Sequence, residues 1–128
     1  ASAVSACYRK RAYWASFEVA QIDRAEVDPN SVLESGRVSL WDKLPTIVAS
    51  GVQSWNTKEV VEQRGRKGPL RISEMERAMG YDVGYTDVEG LLLKDRMRVI
   101  VNALHMGVLR HAMLHYVSSK CMKANVIA

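Results

Sequence analysis

Two histidines, His111 and His115, stand four positions apart, the spacing at which one helical face can offer two imidazoles to a metal. Position 112 is alanine, where the His-Glu-x-x-His pattern has its glutamate, and no third ligand is near, so the pair reads as structural. Cys7 and Cys121 belong to no Cys-x-x-Cys or Cys/His cluster, which argues against a zinc module and against a disulfide-stapled secreted scaffold. A nucleophilic serine would sit in a Gly-x-Ser-x-Gly elbow, and there is none. Gly65-Arg66-Lys67-Gly68 is basic and flexible but has neither the dinucleotide nor the Walker phosphate-loop pattern. What remains is cationic: Arg64, Arg66, Lys67 and Arg71 fall within one short stretch with no acid among them. Such a field suits an anionic partner, and equally an ordinary solvated face. Trp55, beside Asn56 and Lys58, offers an aromatic to stack or wedge against nucleic acid, or to anchor its own loop.

The elements that must position these residues follow from pattern. Residues 10–18 are rich in aromatic and β-branched side chains and predict a strand, with Trp14 in the core. Asp28-Pro29-Asn30-Ser31 signals a turn, with a short helical turn over Ser31 to Glu34 ended by Gly36. Residues 37–41, which hold Trp41, and 46–49 are further short strand candidates, and Trp41 is assigned to the core. From Ser50 to Pro69 no period persists and the stretch reads as one long loop. Ser73-x-x-Glu76 reads as a capping box that starts a helix, with Gly80 closing it in the left-handed region. A second helix is predicted over Leu91 to Val101. A third runs from about Ala103 to Lys120, with Leu104, Val108, Ala112 and Tyr116 forming a stripe and Gly107 weakening its first turn. Early strands followed by late helices indicate an α+β arrangement, or one part of a larger α/β sheet.

The chain has 128 residues, 48% of them hydrophobic, enough for one compact core and against disorder or a second domain. Its 18 basic and 14 acidic residues leave +4, unevenly spread: residues 1–11 carry +3, residues 12–57 carry −3, and from position 91 onward Asp95 is the single acid. No uninterrupted apolar run of about 18 residues occurs, so no membrane partner is expected. Without an apolar leader stretch, a soluble, non-secreted chain in a reducing compartment is the expectation.

Four blocks then occur in a recognisable order. They are Arg9-x-Arg11-x-Tyr13-Trp14; Leu33-Glu34-x-Gly36-Arg37; Glu74-Met75-Glu76-Arg77-x-x-Gly80-Tyr81-x-Val83-x-Tyr85-Thr86-Asp87-Val88; and Val108-x-Arg110-His111. Together they resemble the C-terminal part of the de novo type of cytosine-5 DNA methyltransferase, over roughly residues 4 to 118, the third block being the specific one. The resemblance implies an incomplete C-terminal part of a Rossmann-like methyltransferase α/β fold. It makes residues 1–45 the strand region with the Arg-x-Arg block, 46–70 a target-recognition loop, and 71–128 the helical blocks of a single domain.

The same resemblance implies roles. Arg11 would hydrogen-bond O2 of a flipped-out cytosine, and Arg9 would support that pocket or a phosphate. Thiolate addition to C6 pushes charge onto the ring, and a fixed guanidinium stabilises it without titrating. Gln53, Asn56 and Lys58 would meet DNA base edges or phosphates, as would Ser54, while Arg64, Arg66 and Lys67 would contact phosphates. Asn102 and Ala103 would contribute to the S-adenosylmethionine pocket, although the family's glycine is Val101, its following aromatic is Leu104 and a proline is Gly107. The family's Phe-x-Gly-x-Gly donor loop, Pro-Cys nucleophile and Glu-Asn-Val block are absent. The expected partners are therefore DNA and a complementary methyltransferase chain or a second copy, with no metal and, for a eukaryotic source, a nuclear location. The alternative is a catalytically inactive, methyltransferase-like accessory or DNA-binding module that regulates an active relative.

Overall fold

A computed structural model describes residues 5–8, 11–23, 25–47 and 59–127, with side chains through 121. Arg9, Lys10, Gln53, Ser54, Trp55, Asn56 and Lys58 lie outside the described residues. The chain is a small mixed α/β one. In order come a 3-10 turn (Pro29–Val32), β1 (Val38–Ser39), β2 (Val61–Gln63), β3 (Arg66–Gly68), α1 (Ile72–Ala78), α2 (Leu93–Asn102) and α3 (Met106–Ile127). The three strands form one antiparallel sheet in the order β1-β2-β3. Val38 faces Glu62 and Ser39 faces Val61 across the first pair. A single apolar cluster runs from Cys7 and Leu44 through Val60, Val61 and Leu70 to Met75, Met79, Met97 and Ile100.

Several expectations change here. The segment 10–18 is not a strand over its described part: residues 11–15 are irregular and 16–17 bend. A β-prone sequence becomes a strand only where another backbone lies alongside, and among the described residues of this N-terminal stretch one does so only at Cys7, which forms an isolated parallel bridge to Leu44. Tyr8 N–H donates to the Leu44 carbonyl at 2.8 Å, and Leu44 N–H donates to that of Ala6 at 3.0 Å. Trp14 and Trp41, assigned to the core, are 91% and 56% exposed: α3 lies against the segment 13–22 but leaves the Trp14 ring uncovered. Thr46 and Ile47 form no strand, and the rest of 46–49 lies outside the described residues. The long loop is interrupted by the β2–β3 hairpin, whose buried Val60 and Val61 are its sequence signal.

The first helix starts two residues earlier than the capping box implied. Arg71 occupies the cap, and Glu74 accepts its backbone N–H at 2.8 Å. Ser73 donates instead to Glu34 at 2.6 Å, and Glu76 is engaged elsewhere. The helix end is as read: Gly80 has φ +81°, its N–H meets the Arg77 carbonyl and Tyr81 N–H that of Glu76, the two bonds of a Schellman close. A Cβ on Gly80 would also lie 3.2 Å from Cβ of Met106, where α3 begins. At the 3-10 turn, Asp28 caps by accepting Asn30 N–H at 2.9 Å. The apolar stripe of α3 turns Val108 and Ala112 toward the segment 13–22, with Phe17 against Tyr116 at 5.1 Å between ring centroids. No helix among the described residues is long and apolar enough to cross a membrane.

Candidate nucleic-acid interface

The β2–β3 hairpin displays the cationic cluster. Its two-residue turn places Arg64 at φ +51° and Gly65 at φ +75°, the left-handed pair whose twist matches that of the flanking strands. Glycine bears that conformation without cost, and arginine does so because the register on both sides is fixed. Val61 pairs with Gly68, Glu62 with Lys67 and Gln63 with Arg66. The base is secured to the core by Val60, whose N–H donates to Gly68 and whose carbonyl accepts from Leu40 N–H, both at 2.9 Å. Arg64, Arg66 and Lys67 are exposed and make no ion pair with a described residue. With Arg37, Gln63 and Gly68 they line an open groove of about 610 Å³.

Two other arginines near the groove are engaged with carboxylates. Arg37 grips the fully buried Glu74 with two bonds, Nε at 2.6 Å and Nη2 at 3.1 Å, and gives a third to the Pro69 carbonyl at 2.7 Å. Glu74 also accepts the backbone N–H groups of Glu34 and Arg71, so each of its carboxylate oxygens takes two N–H bonds. Arg71 pairs with Glu34. The hydroxyl of Ser73 and the guanidinium of Arg71 hold the Glu34 carboxyl below its usual range. The basic cluster read in sequence therefore separates into one structural cation, Arg71, and the displayed Arg64, Arg66 and Lys67, while Arg37 joins the groove from outside that cluster as a second structural cation.

A second buried carboxylate organises the loop after α1. Glu76 accepts Gly84 N–H at 2.7 Å and both the N–H and hydroxyl of Thr86 at 2.9 and 2.5 Å, with Arg96 at 3.5 Å. Burial alone would raise its pKa; the hydrogen bonds from Thr86 and Gly84 and the charge of Arg96 outweigh this and lower it. Arg96 also donates to Thr86 at 3.1 Å and reaches Asp87 at 3.3 Å. Glu74 and Glu76 were missed as buried anchors because the capping pattern accounted for Glu76 locally. The signal available was two carboxylates two positions apart in a helix that also carries the apolar Met75, Ala78 and Met79 positions, each needing a distant cation once buried.

The other predicted residues are dispersed. Arg11 is exposed on the irregular segment. Asn102 is the exposed last residue of α2. Ala103 packs on the core, and its N–H donates to Ile100 at 3.3 Å. Arg9, Gln53, Asn56 and Lys58 lie outside the described residues. His111 is engaged by the Ala20 carbonyl at 2.8 Å and lies edge-on to His115, and no group of metal-binding side chains occurs among the described residues. Cys7 is buried beside the Ser5 hydroxyl at 3.2 Å, while Cys121 is exposed. No protein-family model matches the chain.

Proposed function

We propose that this chain is the target-recognition half of a DNA (cytosine-5)-methyltransferase, gripping DNA through its basic hairpin. Methyl transfer would require a chain or segment that supplies the missing nucleophile and donor loop. The observation that carries this reading is the hairpin tip, where three cations are held outward on a hairpin of fixed register, apart from Arg37 and Arg71, which are engaged by Glu74 and Glu34. Phosphate neutralisation asks for such displayed charge, with Gln63 on the same strand pair able to reach a base edge. Arg11 is the candidate for stabilising charge on the cytosine ring, in a pocket that the complementing chain would close. Asn102 alone offers an uncommitted side chain toward S-adenosylmethionine, since the Ala103 N–H is bonded to Ile100 and Val101 is packed in the core. These residues do not form a donor pocket by themselves, so the methyl-transfer chemistry belongs to the complementing chain.

The buried Val101, in place of the resembled family's glycine, favours one second reading, an accessory DNA-binding module without methyl transfer. Duplex binding tests what the two readings share. Replacing Arg64, Arg66 or Lys67 by alanine should weaken binding about equally for all DNA sequences and lower the salt slope by about one per contact. An unchanged slope in all three variants would remove the DNA reading. Restoration of methyl transfer on adding a chain with the Pro-Cys and Glu-Asn-Val blocks separates the two readings. An Arg11→Ala preparation that then keeps full turnover would remove the ring-stabilising assignment.

A further inference from the structure

Two exposed apolar faces of opposite charge remain outside the DNA reading. On α3 the positions 110, 113, 114, 117 and 120 follow the three-and-four spacing of one helical face. Met113, Leu114 and Val117 are about half exposed there, flanked by Tyr116 and bracketed by Arg110 and Lys120, and the whole helix contains no Asp or Glu. Lys120 lies over the Tyr116 ring, 5.5 Å from its centroid, which keeps the ammonium close to the apolar stripe. The second face is the stretch 82–93. Val83, Tyr85, Val88, Leu92 and Leu93 are each more than half exposed there. The acids are Asp82, Asp87 and Glu89, and there is no Lys or Arg in the stretch. Asp87 is engaged by Arg96, whereas Asp82 and Glu89 make no ion pair among the described residues. The clamp of Glu76 on Gly84 and Thr86 fixes the shape of this loop in advance, which lowers the ordering cost of docking on it.

Neither face suits its own kind. Two α3 faces would set cations against cations with no acid between them, and two loops would set carboxylates together. Nor does either suit a nucleic acid, whose phosphates cannot cover exposed leucine and valine. Each complements the other in both apolar character and charge. We propose that copies of this chain associate head to tail, the basic apolar face of α3 in one copy docking on the acidic apolar loop 82–93 of the next. Such a contact leaves one face of each kind free at the two ends of an assembly, so association continues as an open chain or closes as a ring. The inference does not depend on the DNA reading.

Sedimentation velocity of the full chain tests it without DNA. The expected result is a weight-average sedimentation coefficient that climbs past the dimer as concentration rises and falls back when salt is added. Two charge-reversed variants, Arg110→Glu with Lys120→Glu, and Asp82→Lys with Glu89→Lys, should each raise the dissociation constant about a hundredfold and sediment as monomers. Circular dichroism should show each still folded. Mixed in equal amounts, they regain the association that neither has alone, because each reversed face now meets a reversed complement. A wild-type chain that stays monomeric at every concentration overturns the proposal. A dimer that neither variant alters, or a mixture that fails to associate, also overturns it. A monomer that sediments with phosphatidylserine vesicles would assign the α3 face to lipid and overturn it as well.

Discussion

Replacing Arg37 by methionine is the sharpest test of how the basic groove is built. The guanidinium makes two bonds to Glu74, at 2.6 and 3.1 Å, with 8% and 0% of the two side chains exposed. Removing one member of a buried ion pair costs about 3 to 5 kcal/mol, because the remaining charge has lost its counterion inside the protein. Glu74 keeps two backbone donors, at 3.1 and 2.8 Å, which places the loss at the low end, about 3 kcal/mol. The Pro69 carbonyl also loses a donor but is only half-buried, so water replaces it. A loss of that size lowers the melting temperature by about 10 °C for a chain of this length. Urea unfolding of Arg37→Met, of Glu74→Gln and of the double variant measures it. The double variant should recover about 1 kcal/mol or more relative to the sum of the singles, because neutralising the stranded carboxylate removes its penalty. Duplex affinity per folded molecule should not change, in contrast to Arg64→Ala. A loss below about 1 kcal/mol, strict additivity, or weakened DNA binding with stability intact would each refute the division between structural and displayed cations.

Other outcomes follow from the same geometry. Glu76→Gln should cost about 2 kcal/mol by turning one acceptor into a donor facing backbone N–H groups, and should loosen residues 84–86, read as faster amide exchange there. Because the folded pKa of Glu76 lies below its ordinary value of 4.5, its stabilisation is present above that value and is lost as pH falls through the folded one. The wild-type melting temperature should therefore fall more steeply than the Gln variant's in acid. Gly80→Ala forces a side chain into φ +81° and within 3.2 Å of Met106, and should lower stability by about 2 kcal/mol by urea unfolding.

The helical part was legible in sequence because its signals are local. Gly80 closes α1 by conformational need, and the apolar periods set α2 and α3 to within a few residues at their starts. Residues 10–18 have the composition of a strand, and the described part, 11–18, pairs with no strand among the described residues. The β2–β3 hairpin hid behind a turn of Arg-Gly, since the usual marker of its left-handed pair is Asn-Gly or Asp-Gly and arginine gives no such cue. Trp14 and Trp41 were read as core from residue type alone, whereas burial depends on a covering layer that a single segment does not encode. The candidate site was legible as a charge cluster, and its internal division was not. Arg37 and Arg71 are separated from Arg64, Arg66 and Lys67 only by the positions of Glu74 and Glu34, which lie far from some of them in sequence.

That division is what gives the hairpin its character. A turn bearing three cations would be poorly fixed if any of the surrounding carboxylates could reach it, because alternative ion pairs of similar energy would compete for the same side chains. Glu74 is removed from that competition by burial under Arg37, and Glu34 by its bonds to Arg71 and Ser73. The nearest acid left on the strands is Glu62, opposite Lys67, and the two make no ion pair despite their register. Arg37 closes the arrangement physically: it stems from the residue before β1, crosses to α1 through Glu74 and touches Pro69 just after β3. The sheet that carries the displayed charges and the helix that ends the hairpin's exit are thus locked by one side chain. Stability and display depend on the same pair of buried charges, and the proposed DNA contact would fall to cations that make no ion pair with a described residue.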